Sequence, residues 1–599
     1  MPITSTKRHM WDLNKLYKDD SDPNIAKDQD IIYRKSYEFI NKWKDRTDYL
    51  IDAKILKNAL DEYEYWAKEY GLSGKIGYYF SLKISLDQAN PRYKAMTNKL
   101  HEFEVKILND IQFFHLNLAK ISPDKQEEFL NELVLENYRH FLFKIFEQAK
   151  YLLSEKEERI MNEKEKVASG NWIRLISELI SKQQKITLSE DGNKKKHSFA
   201  ILLTLISNKN KKIRSDAAKA VENILEKYLE IAEAEINSIL ENKKINDNIR
   251  GFKRADQARL MADDIDSNVV DNLVSAVSEN FNLSKDYYDF KAKLLGQESL
   301  EYYERSADCF EETRKFSYEE TVELVSDALR NIDNRMFDIF NDFVKGGHFD
   351  VFPQKNKMEG AFCAHSRLKD PTYILLNHTG KFEDVLTLAH EVGHGINNEL
   401  IKQKQNELNF GTPTSTAEVA STLVEDLVME KILEKADEKE KLNLIMKKLD
   451  MDITTIFRQT AFYNFEKELH SEFAQKGFLE CKYIGELFSN HMNSYMGSAS
   501  KGCENWWIYV SHFRDFFYVY SYVSGLLISR SMQTKLLLNA DFIDNINDFL
   551  SAGLSDSPDN LFNKMSIDIS KKDFWYAGLK TTQELFNEAK FLAKKIGRV

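Results

Sequence analysis

Apolar residues recur at helical spacing along most of the chain. Segments such as YRKSYEFINKWKDR, EEFLNELVLENYRHFLFKIFEQAKYLL and NWIRLISELISKQQ place them three or four positions apart, with charged residues between. This period predicts long helices that bury one face. The same texture returns from about residue 212 to 345 and from about 381 to the end. Only 8 prolines and 22 glycines leave little room for the turns of an all-β protein, so the pattern predicts a mainly α fold.

Two interruptions organise this helical pattern. The segment KITLSEDGNKKKHSF alternates in polarity and carries Asp191-Gly192, which is a hairpin signal. We place a domain boundary there, between an N-terminal helical domain of residues 1–185 and a second domain of residues 186–599. Residues 346–380 contain the strand-like pieces GAFC and TYILLN, which predict a small β-sheet before the next helix.

Charge and cysteine content exclude several classes of protein. The net charge is -11 and the only basic block is NKKKH, which argues against nucleic acid as a partner. The four cysteines form no C-x-x-C pair, so we expect reduced thiols rather than a disulfide framework. No run of about 18 apolar residues is present, and the N-terminus lacks an apolar leader. We therefore expect a cytoplasmic protein with no membrane partner.

Candidate chemistry lies in the segment VLTLAHEVGHGINNEL. His390 and His394 are four residues apart, so on a helix both imidazoles project from one face and can bind one ion. Glu391 is about 100° further round, where it can reach water at that ion but not bind the ion itself. The pattern predicts a zinc site with a general base. A pair of histidines satisfied within a helical core is the structural alternative.

A third metal ligand is expected from the next helix, because hydrolytic zinc sites commonly have three protein ligands. In GTPTSTAEVASTLVEDLVMEKIL both Glu418 and Glu425 lie on one face. Spacing alone does not decide between them, and Ser415 followed by Glu418 is also the pattern of a capping box.

The sequence resembles the oligoendopeptidase F family, within the thimet oligopeptidase-like zinc metallopeptidases. LTLAHEVGHG and TAEVASTLVE carry the resemblance, and MWDLNKLY, FDVFPQKNKMEGAFC, ILLNHTG, HFRDFFYVYSYVSG, FLSAGLSDSP and DFWYAGL extend it in order over nearly the whole chain. The resemblance implies an elongated helical metallopeptidase fold with a deep substrate channel and a small sheet near the active site. It also implies that Glu418 is the third ligand, which leaves Glu425 to orient a ligand histidine.

Residues for substrate are expected on both sides of the metal helix. The resemblance implies that His512, with Tyr518 or Tyr522, lies near the scissile carbonyl. The spacing of the tyrosines by itself is more often that of a helix face packed in the core. We expect TYILLN, around Tyr373, Leu375 and Asn377, to be an edge strand that pairs with an extended peptide, together with Gly360 and Ala361 of GAFC. An interior strand is the alternative.

Together these features predict a metalloendopeptidase that binds one Zn²⁺ per chain and cleaves internal bonds of short, unstructured peptides. A metal-dependent hydrolase of another amide or ester has the same ligands. A helical binding scaffold with a vestigial metal site is a further alternative, although the intact Glu391 speaks against it. The sequence makes no prediction of the oligomeric state.

Overall fold

The computed structural model describes residues 9–310 and 314–599. Helices dominate these residues, as the hydrophobic pattern predicts. Those of the N-terminal part are α1 (Asn24–Trp43), α2 (Ala53–Glu69), α3 (Gly74–Leu86), α4 (Pro91–Ile111), α5 (Phe113–Leu118), α6 (Pro123–Asn131), α7 (Arg139–Ala149), α8 (Glu155–Glu165) and α9 (Asn171–Ser181).

The remainder of the chain adds further helices and two small sheets. The helices are α10 (Phe199–Leu205), α11 (Lys211–Lys227), α12 (Leu229–Arg250), α13 (Gln257–Ala262), α14 (Ser267–Glu279), α15 (Phe281–Leu294), α16 (Tyr318–Ile332), α17 (Asn334–Gly346), α18 (Phe382–Lys404), α19 (Glu418–Lys435), α20 (Glu438–Asp452), α21 (Gln459–Lys476), α22 (Cys481–Met496), α23 (Tyr520–Leu538), α24 (Phe542–Leu550), α25 (Pro558–Lys564) and α26 (Lys572–Lys595). The strands are β1 (Gln184–Leu188), β2 (Lys194–Ser198), β3 (Phe349–Asp350), β4 (Phe362–Ala364) and β5 (Tyr373–Leu375).

The first sheet is the predicted hairpin. Strands β1 and β2 pair antiparallel around the Asp191-Gly192 turn, where Gly192 has φ +78°. The boundary expected between residues 185 and 186 falls within β1, and it stays a prediction. Among the described residues, no helix combines the length and the apolar content that crossing a bilayer requires. All four cysteines are free thiols.

Strand β5 separates two hydrophobic cores. Successive side chains of a strand point to opposite faces. Tyr373 and Leu375 accordingly join the core built by residues 11–146, whereas Ile374 and Leu376 join the core of residues 176–593. All four side chains are at most 1% exposed. The strand therefore fixes how the N-terminal helices meet the helices around the candidate motif.

The predicted edge role of Tyr373 to Asn377 is wrong. The strand order is β3-β5-β4, so β5 is the central strand, parallel to β3 and antiparallel to β4. Its unbroken apolar run suits burial on both faces, whereas exposed edges commonly carry charged residues. The edge on the side of the motif is β4, which follows Gly360 and Ala361 directly.

Helix α18 crosses α19 at close range because Gly393 has no side chain. A Cβ at Gly393 would lie 2.5 Å from both the Ala420 carbonyl oxygen and the Ser421 Cα. These are backbone atoms, which cannot rotate away. At the start of α18, Asp384 accepts hydrogen bonds from the backbone N–H groups of Thr379 (2.7 Å) and Lys381 (2.9 Å), which holds the first turn in place.

Gly393→Ala should reverse the usual effect of alanine in a helix. Helix propensity alone favours alanine over glycine by about 1 kcal/mol. The clash with α19 should instead destabilise the fold by about 1–3 kcal/mol, the usual range for overpacking. Gly170→Ala is the control, because no heavy atom lies within 4 Å of its would-be Cβ. Urea unfolding of both variants measures the effect on stability. Equal unfolding midpoints for the two variants would contradict the close packing of α18 against α19 at Gly393.

Candidate metal centre

Three ligand-type atoms converge where α18 meets α19. The Nε2 atoms of His390 and His394 lie 3.1 Å apart. The Glu418 Oε2 lies 3.3 Å from the first and 3.6 Å from the second. Ligand atoms of all three residues fall within 4.8 Å of one another. Imidazole nitrogens and a carboxylate oxygen facing one point form a donor set that fits zinc.

Glu418 does not cap its helix. It opens α19, whose N-cap is Ala417 and has no side-chain cap bond. The Glu418 Oε2 accepts a hydrogen bond from the Ser421 hydroxyl at 2.9 Å, which orients the carboxylate toward the histidines. Behind it, a Cβ at Gly525 of α23 would lie 2.5 Å from the Glu418 Cβ. The glycine lets α23 pack directly against this residue.

Glu425 fixes the orientation of His390. The His390 Nδ1–H donates to the Glu425 Oε1 at 2.6 Å, since a carboxylate can only accept. This leaves the Nε2 lone pair free to face His394 and Glu418. Glu425 is 6% exposed, and the Lys448 ammonium lies 4.0 Å from its second oxygen.

The charges around His390 and His394 favour a cation between the two imidazoles. Burial by itself lowers the pKa of His390, but the Glu425 hydrogen bond and the charges of Glu425 and Glu418 raise it to about 9. Burial, together with the neighbouring His390 charge, lowers the pKa of His394 to about 4. The carboxylates thus hold positive charge at this point, which a metal ion can supply.

Glu391 lies beside the converging ligands, on the side of strand β4. It is 7% exposed. Burial raises its pKa to about 7, with further increases from Glu418 and Glu425. The charge of His390 and a hydrogen bond from the Cys363 backbone N–H act in the opposite direction. Glu391 therefore lies close to β4, and it does not belong to the ligand cluster.

His512, Tyr518 and Tyr522 form a ring cluster next to Glu418. The Tyr518 hydroxyl and the His512 Nδ1 share a hydrogen bond, and the tyrosine ring centroids are 5.8 Å apart. Helix α23 begins at Tyr520, so Tyr518 precedes the helix that was expected to carry both tyrosines. Burial raises the pKa of Tyr522, and the Glu418 charge adds to this shift. Tyr522 is thus the tyrosine adjacent to a candidate ligand.

Family comparisons agree with this geometry. The family model described as peptidase family M3 matches residues 204–581, and that described as oligopeptidase F matches residues 117–184. The chain belongs to peptidase family M3. It is a metalloendopeptidase that acts on peptides, and the family implies a metal cofactor. The resemblance to the oligoendopeptidase F family is confirmed, and so is the mainly α metallopeptidase fold.

Individual relatives match over almost the full chain. The oligoendopeptidase F homolog of Borreliella burgdorferi is 27% identical over 577 residues, covering 94% of each chain. A crystal structure from Chlamydophila abortus aligns with a TM-score of 0.82 at 23% identity and covers 98% of both chains. The oligoendopeptidase-F structure from Enterococcus faecium aligns with a TM-score of 0.71 at 20% identity, covering 96% of this chain and 99% of that one. These two structures support the fold.

The expected substrate residues of this M3 peptidase divide into two groups. Tyr373 and Leu375 are fully buried in β5 and face the N-terminal core. The Asn377 amide donates to the backbone oxygens of Met358 (2.9 Å) and Gly360 (2.8 Å), so it holds the loop before β4. Gly360 is exposed, with φ +79°, and Ala361 is half-buried. The first group is thus buried in the fold, whereas Gly360 and Ala361 of the second group are at least partly exposed.

Sequence reasoning missed the polar residues that support the site. Asn398 lies one helical turn after His394 and donates to the His365 Nδ1 at 3.1 Å, behind β4. Its four-residue spacing from His394 was a usable signal. Behind Glu425, Lys448 lies 2.6 Å from an Asp426 oxygen. No local pattern relates Lys448 to the motif, because α20 is distant from α18 in sequence.

Neutral variants of the α19 glutamates should separate ligation from support. Glu418→Gln should sharply reduce the bound metal, because it removes a converging carboxylate. Glu425→Gln should weaken metal affinity by about 10- to 100-fold, as the loss of a ligand-orienting group does. Glu430→Gln, exposed on the same helix, is the control and should bind as the parent does. Titration against a chelator measures all three; a larger loss in Glu425→Gln than in Glu418→Gln would reverse the assignment.

Proposed function

We propose that this M3 peptidase is a zinc-dependent endopeptidase that hydrolyses internal bonds of short, unstructured oligopeptides. The convergence of His390, His394 and Glu418 beside Glu391 carries the proposal. Two imidazoles and one carboxylate form a common hydrolytic zinc site, which keeps a further position for water. Zinc held there would supply Lewis acidity toward water and the scissile carbonyl.

Glu391 is the proposed general base. Its carboxylate takes a proton from the attacking water and later delivers it to the leaving amine, so the proton is conserved over the reaction. The raised pKa of about 7 suits both steps, because a group that titrates near neutrality can accept and return a proton. No covalent bond to the enzyme is required.

Tyr522 is the proposed donor to the developing oxyanion. Its ring lies next to Glu418, and burial keeps its hydroxyl protonated by raising its pKa. A phenol in this position can donate a hydrogen bond to the tetrahedral oxygen. The hydrogen bond between Tyr518 and His512 orders the neighbouring rings, with centroids of His512 and Tyr522 6.1 Å apart.

Strand β4 is the proposed pairing edge for substrate. One side of β4 pairs with β5, and the Cys363 backbone N–H acts on the Glu391 carboxylate. An extended peptide added at this free edge would bring its backbone to the proposed base. Ala361 and Gly360 continue the edge, so the role expected for Tyr373 and Leu375 passes to them.

The alternatives have less support. A vestigial scaffold has no need of a buried Glu391 beside the ligands or of Glu425 bonded to His390. A hydrolase of esters or N-acyl groups would use the same ligands, but a free strand edge beside the base favours an extended peptide. We include a cytoplasmic location in the proposal, supported by the four free thiols.

Glu391→Gln should retain metal but lose at least about 10²- to 10⁴-fold in peptide hydrolysis, the range for removing a general base. Glu383→Gln is the control, because Glu383 lies on the same helix but is exposed and pairs with Lys447 at 2.6 Å. Metal content and hydrolysis of one fluorogenic peptide are measured together. Activity that persists in Glu391→Gln would remove it from the mechanism, and loss of metal would make it a ligand.

The rate of hydrolysis should depend more on the length of the peptide than on its sequence. The side chains of His390, His394 and Glu418 are only 29%, 25% and 22% exposed, so a substrate must reach them as a thin, extended segment. Peptides of about ten residues should be cut, whereas a folded domain is far wider than one strand. Rates on a denatured, alkylated protein are compared with rates on peptides of its own sequence, at equal concentrations of cleavable bonds. Similar rates would indicate an open cleft instead of an enclosed channel.

A further inference from the structure

Two arginines on the His512 side of the site have no counter-ion. Arg305 lies in the short helical turn Tyr302–Ser306, and Arg458 ends the π-helical turn Ile453–Arg458 between α20 and α21. In the part of the chain that the structure describes, neither forms an ion pair. A buried cation without a partner is costly, so such groups commonly serve a ligand or a paired charge.

Arg458 points into accessible space although protein surrounds it. Its Cζ lies 4.7 Å from the centre of the Phe462 ring, and its Nε is buried without a hydrogen-bond partner. None of its side-chain nitrogens donates to a described residue. The residue as a whole is only partly buried, so the terminal nitrogens keep contact with solvent. The guanidinium is therefore partly exposed beside Phe462, and its N–H donors have no acceptor in the described protein.

The surroundings of the two arginines are rich in donors. The Arg305 guanidinium lies 4.3 Å from the Tyr302 ring centre and 5.0 Å from that of Trp506, and its Nε has no partner. The Tyr302 hydroxyl, the Tyr495 hydroxyl and the Trp506 indole N–H are also buried without partners. Both arginines act on the tyrosine hydroxyls electrostatically, which places the two charges in one neighbourhood. Arg305 donates to the Tyr302 carbonyl oxygen (2.9 Å) and to the Tyr509 hydroxyl (3.4 Å), but no carboxylate pairs with either arginine among the described residues, so an anion would suit the cluster best.

This cluster adjoins the proposed reaction centre. The Phe462 ring that lies under Arg458 is 6.1 Å from the His512 ring, centre to centre. Burial lowers the pKa of His512 to about 4, and the Arg458 charge is the next largest cause. A group bound at Arg458 is thus separated from His512 by the Phe462 ring alone. A few residues of extended peptide can span this distance.

We propose that Arg458, supported by Arg305, is a subsite that receives a carboxylate of the bound peptide. The carboxylate is either the C-terminal α-carboxylate or the side chain of an Asp or Glu a few residues from the cleaved bond. A guanidinium with open terminal nitrogens matches a carboxylate in a two-point hydrogen-bonded contact. The inference rests on the proposed peptidase function and adds a determinant of which peptides bind.

The test uses matched peptides that differ by one charge. The first pair has the same sequence with a free C-terminus or a C-terminal amide. The second pair is amidated and carries Glu or Gln at one position, scanned through the residues that flank the cleaved bond. The parent enzyme should prefer the charged member of one pair by about 10- to 100-fold in kcat/KM, the range for hydrogen bonds to a charged group. The pair that shows the preference identifies the source of the carboxylate.

Variants assign this preference to Arg458. In Arg458→Gln the ratio between charged and neutral peptides should fall toward one, and in Arg458→Lys it should lie between. Arg34→Gln is the control, because Arg34 is an exposed cation paired with Asp30 at 2.9 Å; it should keep the parent ratio. An unchanged ratio in Arg458→Gln, or a parent ratio of one in both pairs, would overturn the proposal and leave Arg458 as a structural cation over Phe462.

A binding measurement separates this inference from the proposed function. Calorimetry with the Glu391→Gln protein gives the affinity for each peptide without turnover. The same measurement on the Glu391→Gln/Arg458→Lys double variant shows how much of that affinity depends on Arg458. A preference for the charged peptide that weakens in the double variant supports the subsite even if the parent enzyme hydrolyses none of the peptides. Equal affinities for charged and neutral peptides would refute it even if hydrolysis is fast.

Discussion

The close approach of α18, α19 and α23 is the constraint on which the site depends. Gly393 lets the α18 backbone touch α19 at Ala420, and Gly525 lets α23 press against Glu418. Any side chain at either position would force the helices apart. Because His390 and Glu418 come from different helices, their separation of 3.3 Å follows directly from this packing. The proposed metal chemistry, the position of Glu391 and that of Tyr522 all depend on the same contact.

A chain of buried charged residues lies behind the metal ligands and supports them. Glu425 accepts from His390, and Lys448 lies between Glu425 and Asp426. Burial would raise the pKa of Asp426, but the charges of Lys448 and Arg530 lower it to about 2. Arg530 also donates to the Thr582 hydroxyl on α26 at 2.6 Å. Removing one member would leave an unpaired buried charge, which is strongly destabilising, so the C-terminal helix supports the orientation of a histidine in α18.

Local periodicity predicts the fold class and the motif because both depend on the helical repeat. His390, Glu391 and His394 follow from a spacing of one turn. Spacing left Glu418 and Glu425 open, since both lie on one face, and the family resemblance favoured Glu418. Packing against α18 places the Glu418 carboxylate at the Nε2 atoms of both histidines and the Glu425 carboxylate at the Nδ1 atom of His390. The strand order of the sheet lies outside local pattern, although the unbroken apolar run of β5 was a signal for an interior strand. Arg458 carries no sequence signal, because its lack of a partner is a property of tertiary structure.

The most direct test of the account is X-ray absorption at the zinc edge, on the protein loaded with one equivalent of zinc. The account predicts a first coordination shell of nitrogen and oxygen only, at about 2.0–2.2 Å, with the outer scattering of two imidazoles. Zinc–sulfur scattering at about 2.3 Å would contradict it, because Cys363 is the thiol that lies beside Glu391. A shell without imidazole scattering would contradict it equally, since His390 and His394 would then not hold the ion.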